Sequence, residues 1–165
     1  MRSMTAAIFF LSLVISSVQA ESPIPANGGT NSQGDPVKNL INKLNSTSPP
    51  SEMSSAKNKL AEMGTAALPQ LHEAVTNDKR IFVRVQCCFV LSKIADPSSL
   101  PVLYRAAQSP YPALNRSAVQ SIRTIGGVKA VESLQKLQAV TKDTNLRIFI
   151  RTSLTNMKKQ PHQTR

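Results

Sequence analysis

Residues 96–127 read DPSSLPVLYRAAQSPYPALNRSAVQSIRTIGG and contain one full unit of a pattern that recurs along the chain. Leu60, Leu91 and Ile122 are separated by 31 residues each, and Leu154 follows after 32. A fixed period of this length is typical of proteins in which one supersecondary unit is stacked repeatedly. The chain is therefore predicted to be an array of similar units.

A second register has the same period. The sequence LPQL at 68–71 matches LPVL at 100–103, and VESL at 131–134 matches both of them except for the proline. Two independent registers with one period are hard to obtain by chance, so the agreement supports a repeat array.

The apolar residues inside each unit follow the period of an α-helix. Val83, Cys87, Val90, Leu91 and Ile94 fall at the i, i+4, i+7, i+8 and i+11 positions of one helix face. The sets that begin at Leu114 and Leu146 repeat these offsets. This pattern predicts a chain that is almost entirely α-helical.

Each unit is predicted to contain a short first helix, a turn and a longer second helix. The first helices are expected at 36–45, 66–76, 98–108 and 128–141, and the second helices at 52–63, 80–94, 112–125 and 144–158. Turn-forming pairs such as Asp96-Pro97 and Gly126-Gly127 separate them. One helical pair cannot bury its apolar face alone, so the pairs are predicted to stack into an all-α superhelix, a solenoid of about four pairs.

The segments FVRVQCCFVLSKI, LSKIADPSSLPVL and IRTIGGVKAVESL resemble HEAT-like repeats of the short bacterial type that is also found in phycobilin lyases. The resemblance covers residues 36–158 as four HEAT-like units, of which the first matches least well. Asp78 and Arg84 resemble the family's paired acidic and basic residues, which link neighbouring repeats. The third unit has Ser109 and Asn115 at these positions, so the pair is not repeated along the chain.

The first twenty residues have the pattern of a secretory signal peptide. They contain one positive charge at Arg2, an apolar stretch from Ala6 to Ile15, and a polar end with small residues that closes at Ala20. The apolar stretch has about ten residues, whereas a membrane-spanning helix needs roughly twenty. We therefore expect cleavage after Ala20, no transmembrane segment afterwards, and a secreted or periplasmic protein.

Two further segments differ in composition from the repeats. Residues 21–35 are rich in proline, glycine and small polar residues and are predicted to be a disordered linker. Residues 159–165 are basic, have no apolar residue and are predicted to be a disordered tail. The HEAT-like repeat domain is thus expected to span residues 36–158.

The chain is strongly basic, with 20 lysines and arginines, nine acidic residues and a formal net charge of +11. Such a charge favours an acidic protein surface, an anionic polymer or anionic lipid head groups as the partner. Nucleic acid is disfavoured, because an extracytoplasmic location is expected and because the chain has no tryptophan and only two tyrosines for stacking on bases.

The positive charge is concentrated in the predicted second helices. Together with Lys159, which directly follows the last of them, they carry eleven basic and two acidic residues, whereas the first helices carry five and two. In HEAT-like solenoids the second helices line the concave surface, so the resemblance implies a basic concave face. Because arginine grips carboxylates with two parallel hydrogen bonds, the predicted contacts with an acidic protein segment are Arg84, Arg116, Arg123, Arg147 and Arg151. The alternative is a solvated helix surface that only keeps the protein soluble.

The sequence contains few groups that could carry out a reaction. His72 and His162 are the only histidines, and the chain has no metal-ligand spacing, phosphate-binding loop or paired carboxylates. A non-enzymatic protein without metal or cofactor is therefore predicted. An enzyme such as a lyase that acts through Cys88 or His72 is the least favoured alternative.

The two cysteines, Cys87 and Cys88, are adjacent in a predicted helix. Neighbouring helical residues point about 100° apart, so we expect one buried thiol beside one at the edge. A vicinal disulfide or an intermolecular disulfide remains an alternative.

Overall fold

A computed structural model describes residues 34–159. The predicted signal peptide, most of the linker and most of the tail lie outside these residues. The described part contains α-helices and short 3-10 helices and has no β-strand. The predicted all-α superhelix of helical pairs is confirmed. None of the described helices is both long and apolar enough to cross a membrane.

Eight α-helices form four pairs within the described residues. They are α1 (Pro36–Asn42) with α2 (Pro50–Glu62), α3 (Leu68–Asn77) with α4 (Ile81–Ile94), α5 (Leu100–Ala106) with α6 (Pro112–Ile125), and α7 (Gly127–Val140) with α8 (Thr144–Lys159). The second helix of each pair begins and ends within two residues of its predicted bounds. The helices α3 and α5 begin two residues later than predicted, because the 3-10 helices Gly64–Ala67 and Pro97–Ser99 precede them.

Local capping interactions set several of these helix ends. The Asp35 carboxylate accepts hydrogen bonds from the backbone N–H groups of Val37 at 3.0 Å and Lys38 at 3.4 Å, so it caps α1. The folded part therefore includes the last residue of the predicted linker. Between α6 and α7, Gly126 and Gly127 have φ angles of 71° and 77°, which glycine adopts without steric cost. The chain can therefore reverse there without further residues.

The residues that define the sequence period form the core. The repeated leucine and isoleucine positions of both registers are buried: Leu60, Leu71, Leu91, Leu103, Ile122, Leu134 and Leu154. They belong to one continuous apolar cluster that runs through all four pairs. Stacking of the pairs thus buries the same face of each unit, as expected for a solenoid.

The helices lie in two layers, one of first helices and one of second helices. The second helices contact one another more extensively than the first helices do, and α4 and α6 pack most closely. Small buried side chains allow this approach: the Ser121 hydroxyl donates to the Cys88 carbonyl oxygen at 2.8 Å, and the Ser117 hydroxyl donates to that of Val85 at 3.3 Å. The second helices therefore form the layer with the more extensive contacts between neighbouring pairs.

Candidate functional site

The solvent-facing side of the second helices forms a continuous surface, which we call the second-helix face. Two repeat positions of each unit are exposed or half-exposed at the centre of this face, and each position forms a row across the four helices. One row contains Ser54 of α2, Val85 of α4, Arg116 of α6 and Ile148 of α8, and the other contains Asn58, Phe89, Gln120 and Thr152 of the same helices. Phe82, Lys93 and Arg123 extend the same face along α4 and α6. No acidic residue occupies any of these positions.

Two of the predicted arginines lie on this face. Arg116 is exposed and Arg123 is half-buried, and both lie on α6 at the centre of the array. Within residues 34–159 the ion pairs are Lys43 with Glu52 at 2.8 Å and Arg80 with Asp78 at 2.7 Å, so neither arginine has an acidic partner there. On the same face, the Lys93 ammonium group donates to the Asn58 side chain at 2.9 Å. The second-helix face therefore presents guanidinium groups that are available to an external carboxylate.

Arg84 and Arg147 occupy equivalent positions but lie at helix ends. The Arg84 Nε atom donates to the Val75 carbonyl oxygen at 2.7 Å, in the last turn of α3. The Arg147 Nη2 atom donates to the Thr141 carbonyl oxygen at 2.6 Å, just after α7. Cations at helix C-termini satisfy free carbonyl groups and interact favourably with the helix dipole. Both arginines thus tie a second helix to the first helix of its own pair.

Arg151 lies at the end of the array. Its equivalents in the two units directly before it, Cys88 and Val119, are buried, whereas Arg151 is exposed. The residues described contain no helix pair after α8 that could cover it. A polar outer surface of this kind is typical of the terminal repeat of a solenoid.

The acidic residue of the expected inter-repeat pair has a different partner. Asp78 accepts hydrogen bonds from Arg80 Nε at 3.0 Å and Arg80 Nη2 at 2.7 Å, and Arg80 also donates to the Asn42 side chain at 3.0 Å. The hydrogen bonds from Arg80 hold the pKa of Asp78 below its usual value. Arg80, which the sequence analysis did not single out, therefore connects the first two units.

Three large apolar side chains of the second-helix face are exposed to solvent. Phe82, Phe89 and Ile148 have exposed fractions of 39%, 41% and 54%. The sequence contained a signal for the two phenylalanines, because they lie seven residues apart and outside the apolar stripe that begins at Val83. The face thus carries exposed apolar side chains as well as Arg116 and Arg123.

Both cysteine thiols are free and fully buried. The expectation of one thiol at the helix edge is wrong, because α4 packs against α2, α3 and α6 and is covered on both sides. Burial raises the pKa of Cys87 and raises that of Cys88 to about 12. The thiolate is the nucleophilic form of cysteine, so these shifts keep both thiols in the protonated, less reactive form at neutral pH.

His72 lies in a structural contact between α3 and the next unit. Its Nε2 atom is 2.9 Å from the Ser99 hydroxyl oxygen, and burial lowers the pKa of the imidazole. Ser99 is fully buried, so a substrate cannot reach its hydroxyl group. Between residues 34 and 159, no three side chains of the metal-binding types are grouped as a metal site requires.

Comparison with known proteins agrees with the repeat pattern. Residues 37–123 and 68–155 each match the family model for HEAT repeats. Among solved structures, the chain is similar to one in the complex of CpcE and CpcF of phycocyanin lyase from Nostoc sp. PCC7120, with 23% sequence identity and a TM-score of 0.57. The match covers 73% of this chain and 78% of that chain, and it shows a shared fold. No curated protein matches the chain significantly.

Proposed function

The chain belongs to the HEAT-repeat family, and we propose that it is a secreted or periplasmic, non-enzymatic scaffold that binds an acidic segment of another protein. The observation that carries the proposal is the position of Arg116 and Arg123, which lie on the second-helix face with no acidic partner in the described part of the chain. They are seven residues apart, or two helical turns, which is about 10.5 Å. A segment with carboxylates at a similar spacing would contact both.

The two remaining parts of the proposal have separate support. The non-enzymatic role is supported by the buried, protonated thiols and by the inaccessible Ser99 hydroxyl group. Secretion is supported by the signal-like pattern of residues 1–20. The similar solved chain belongs to a complex of two proteins, which agrees with a protein partner. N-terminal sequencing of the exported protein should find Glu21 as the first residue, and an uncleaved chain retained in the cytoplasm would argue against secretion.

Binding of an anionic polymer or of lipid head groups is the second candidate, because the net charge of +11 attracts any anionic surface. Such binding should weaken steeply with salt and should depend little on the partner's sequence. An acidic protein segment held by paired hydrogen bonds should show a clear dependence on single residues of both partners. Salt titration with each captured partner therefore separates the two candidates.

The test is capture of partners from the native extracytoplasmic fraction, followed by binding titration with one identified protein and two double variants. The first variant is Arg116→Glu with Arg123→Glu on the second-helix face. The second is Lys129→Glu with Lys136→Glu on α7, which makes the same change in net charge in the other layer. The first should weaken binding by more than about tenfold, and the second by much less.

Equal losses for the two double variants would mean that only net charge matters. That result would contradict specific binding at the second-helix face and would favour the polymer or lipid candidate. Unchanged affinity in the Arg116 and Arg123 variant would remove this face from the proposal altogether.

A further inference from the structure

The second-helix face combines apolar and cationic side chains in a way that its charge alone does not explain. Phe82 and Phe89 lie two turns apart on α4, about 10.5 Å along the helix, with half-exposed Val85 between them. Single exposed apolar residues are normal on a protein surface. Phe82 and Phe89, however, lie on one side of the same helix. The same face carries arginines without acidic partners, and such a patch is typical of an interaction surface.

The patch has an ordered arrangement across the array. In the row of Val85, the next helix contributes Arg116 and the last one contributes Ile148. Since α6 lies between α4 and α8, the guanidinium group is flanked by apolar side chains on both neighbouring helices. Adjacent packed helices are about 8–10 Å apart, so one bound segment can contact all three.

We propose that the partner segment is amphipathic, with carboxylates that bind Arg116 and large apolar side chains that pack on Phe82 and Phe89. This inference rests on the proposed function and specifies the chemistry of its partner. Aromatic residues and arginine are the side chains that dominate binding energy in protein interfaces. Since salt screens charge but does not weaken apolar contact, a substantial part of the affinity should persist in high salt.

A protein segment fits this surface better than a polysaccharide or a membrane. An anionic polysaccharide has no large apolar side chains to place against the two rings. A peripheral protein inserts protruding apolar side chains into a bilayer, whereas Phe82 and Phe89 are each about three-fifths covered. The arrangement therefore favours a narrow peptide segment over a flat lipid surface.

The test is a selection from displayed random peptides of about 16 residues with the purified chain as the target. Enriched peptides are synthesised, and their Kd is measured against the wild type, Arg116→Gln, and Phe82→Ser with Phe89→Ser. The matched control is Val128→Ser with Val140→Ser, which removes two exposed apolar side chains from α7. Circular dichroism checks the fold of each variant, and Phe89→Ser alone serves as a milder substitute if the double variant is unstable.

We expect enriched peptides to contain both acidic and large apolar residues, and the phenylalanine variant to bind them at least about tenfold more weakly than the valine control. Enrichment of acidic peptides without apolar residues, bound equally well by the phenylalanine variant, overturns this inference and leaves the proposed function intact. Failure to enrich acidic peptides overturns both.

A second arm uses vesicles of phosphatidylcholine with phosphatidylglycerol. Vesicle binding that is lost in the phenylalanine variant but kept in the valine control overturns the peptide assignment in favour of a membrane. Absence of such binding, together with the expected peptides, supports the amphipathic segment.

Discussion

The two layers of the array are packed differently. In the second-helix layer, α4 and α6 approach until the Ser121 hydroxyl group reaches the Cys88 backbone carbonyl at 2.8 Å. In the first-helix layer, α5 and α7 are separated by an open cleft of about 740 Å³, which Tyr104 and Ser133 line. The second helices can therefore present a continuous face, whereas the cleft between α5 and α7 interrupts the first-helix layer.

The largest expected effect comes from placing the same large side chain in each layer. Ser121→Leu should lower the free energy of unfolding by about 3 kcal/mol, because overpacking costs roughly 1–3 kcal/mol and a buried hydrogen bond of about 1 kcal/mol is lost. Ser133→Leu should change it by less than about 0.5 kcal/mol, since that side chain borders the cleft. Urea unfolding followed by circular dichroism measures both. Similar losses in the two variants would mean that the layers do not differ in packing.

The buried thiols of the second-helix layer should make stability depend on alkaline pH. The folded-state pKa of Cys88 is raised from 9.0 to about 12, so above about pH 9 the unfolded chain loses this proton and the folded chain retains it. Stability is therefore full below pH 9 and falls as pH rises towards 12. The loss from Cys88 between pH 9 and pH 10 should be about 1 kcal/mol.

Cys88→Ala isolates this contribution from other groups that titrate at alkaline pH. The variant should be less stable than the wild type at neutral pH, because it loses buried volume, but its stability should fall less between pH 9 and pH 10. Parallel pH profiles for the two proteins would show that Cys88 does not titrate differently in the folded and unfolded states.

The third prediction concerns the hydroxyl groups between α4 and α6. Ser121→Ala should lower the free energy of unfolding by about 1 kcal/mol. Ser117→Ala should cost less, because its hydrogen bond to the Val85 carbonyl is longer, at 3.3 Å. Ser133→Ala is the control in the first-helix layer, since that hydroxyl group bonds only to Lys129 in its own helix. A cost for Ser133→Ala as large as that for Ser121→Ala would remove the distinction between the layers.

The sequence predicted the helices and the core because both follow from local periodicity. The 31-residue register places Leu60, Leu91 and Ile122 in the core, where they are fully buried. The register does not show how many neighbouring helices pack against each helix. Arg151 and Val119 occupy the same repeat position, yet one is exposed at the end of the array and the other is buried between α6 and its neighbours.

The same limit explains the cysteines and the arginines. A helical period identifies one buried face, but α4 is covered on two sides, so both Cys87 and Cys88 are buried. Charge counts place Arg84 and Arg147 on second helices, but the carbonyl groups to which they donate are fixed only by the turn before each helix. Of the five predicted arginines, Arg116 and Arg123 lie together on the second-helix face.

The smallest expected effect belongs to the first-helix layer, where His72 of α3 contacts Ser99 at 2.9 Å. Burial is the main cause that lowers the pKa of His72 from 6.5; nearby Arg105 also lowers it and Asp96 opposes the shift. As pH falls through 6.5 the unfolded chain therefore binds this proton before the folded chain does, so stability decreases towards acid. Between about pH 7.5 and about pH 5.5 the loss should stay below about 0.5 kcal/mol, because solvent screens a partly exposed ring.

His72→Gln should make the urea midpoint of unfolding depend less on pH over this range. An unchanged pH dependence of the midpoint would assign the effect to another group. A loss as large as that from Cys88 would mean that the first-helix layer excludes water as well as the second-helix layer does, which would contradict the difference between the layers.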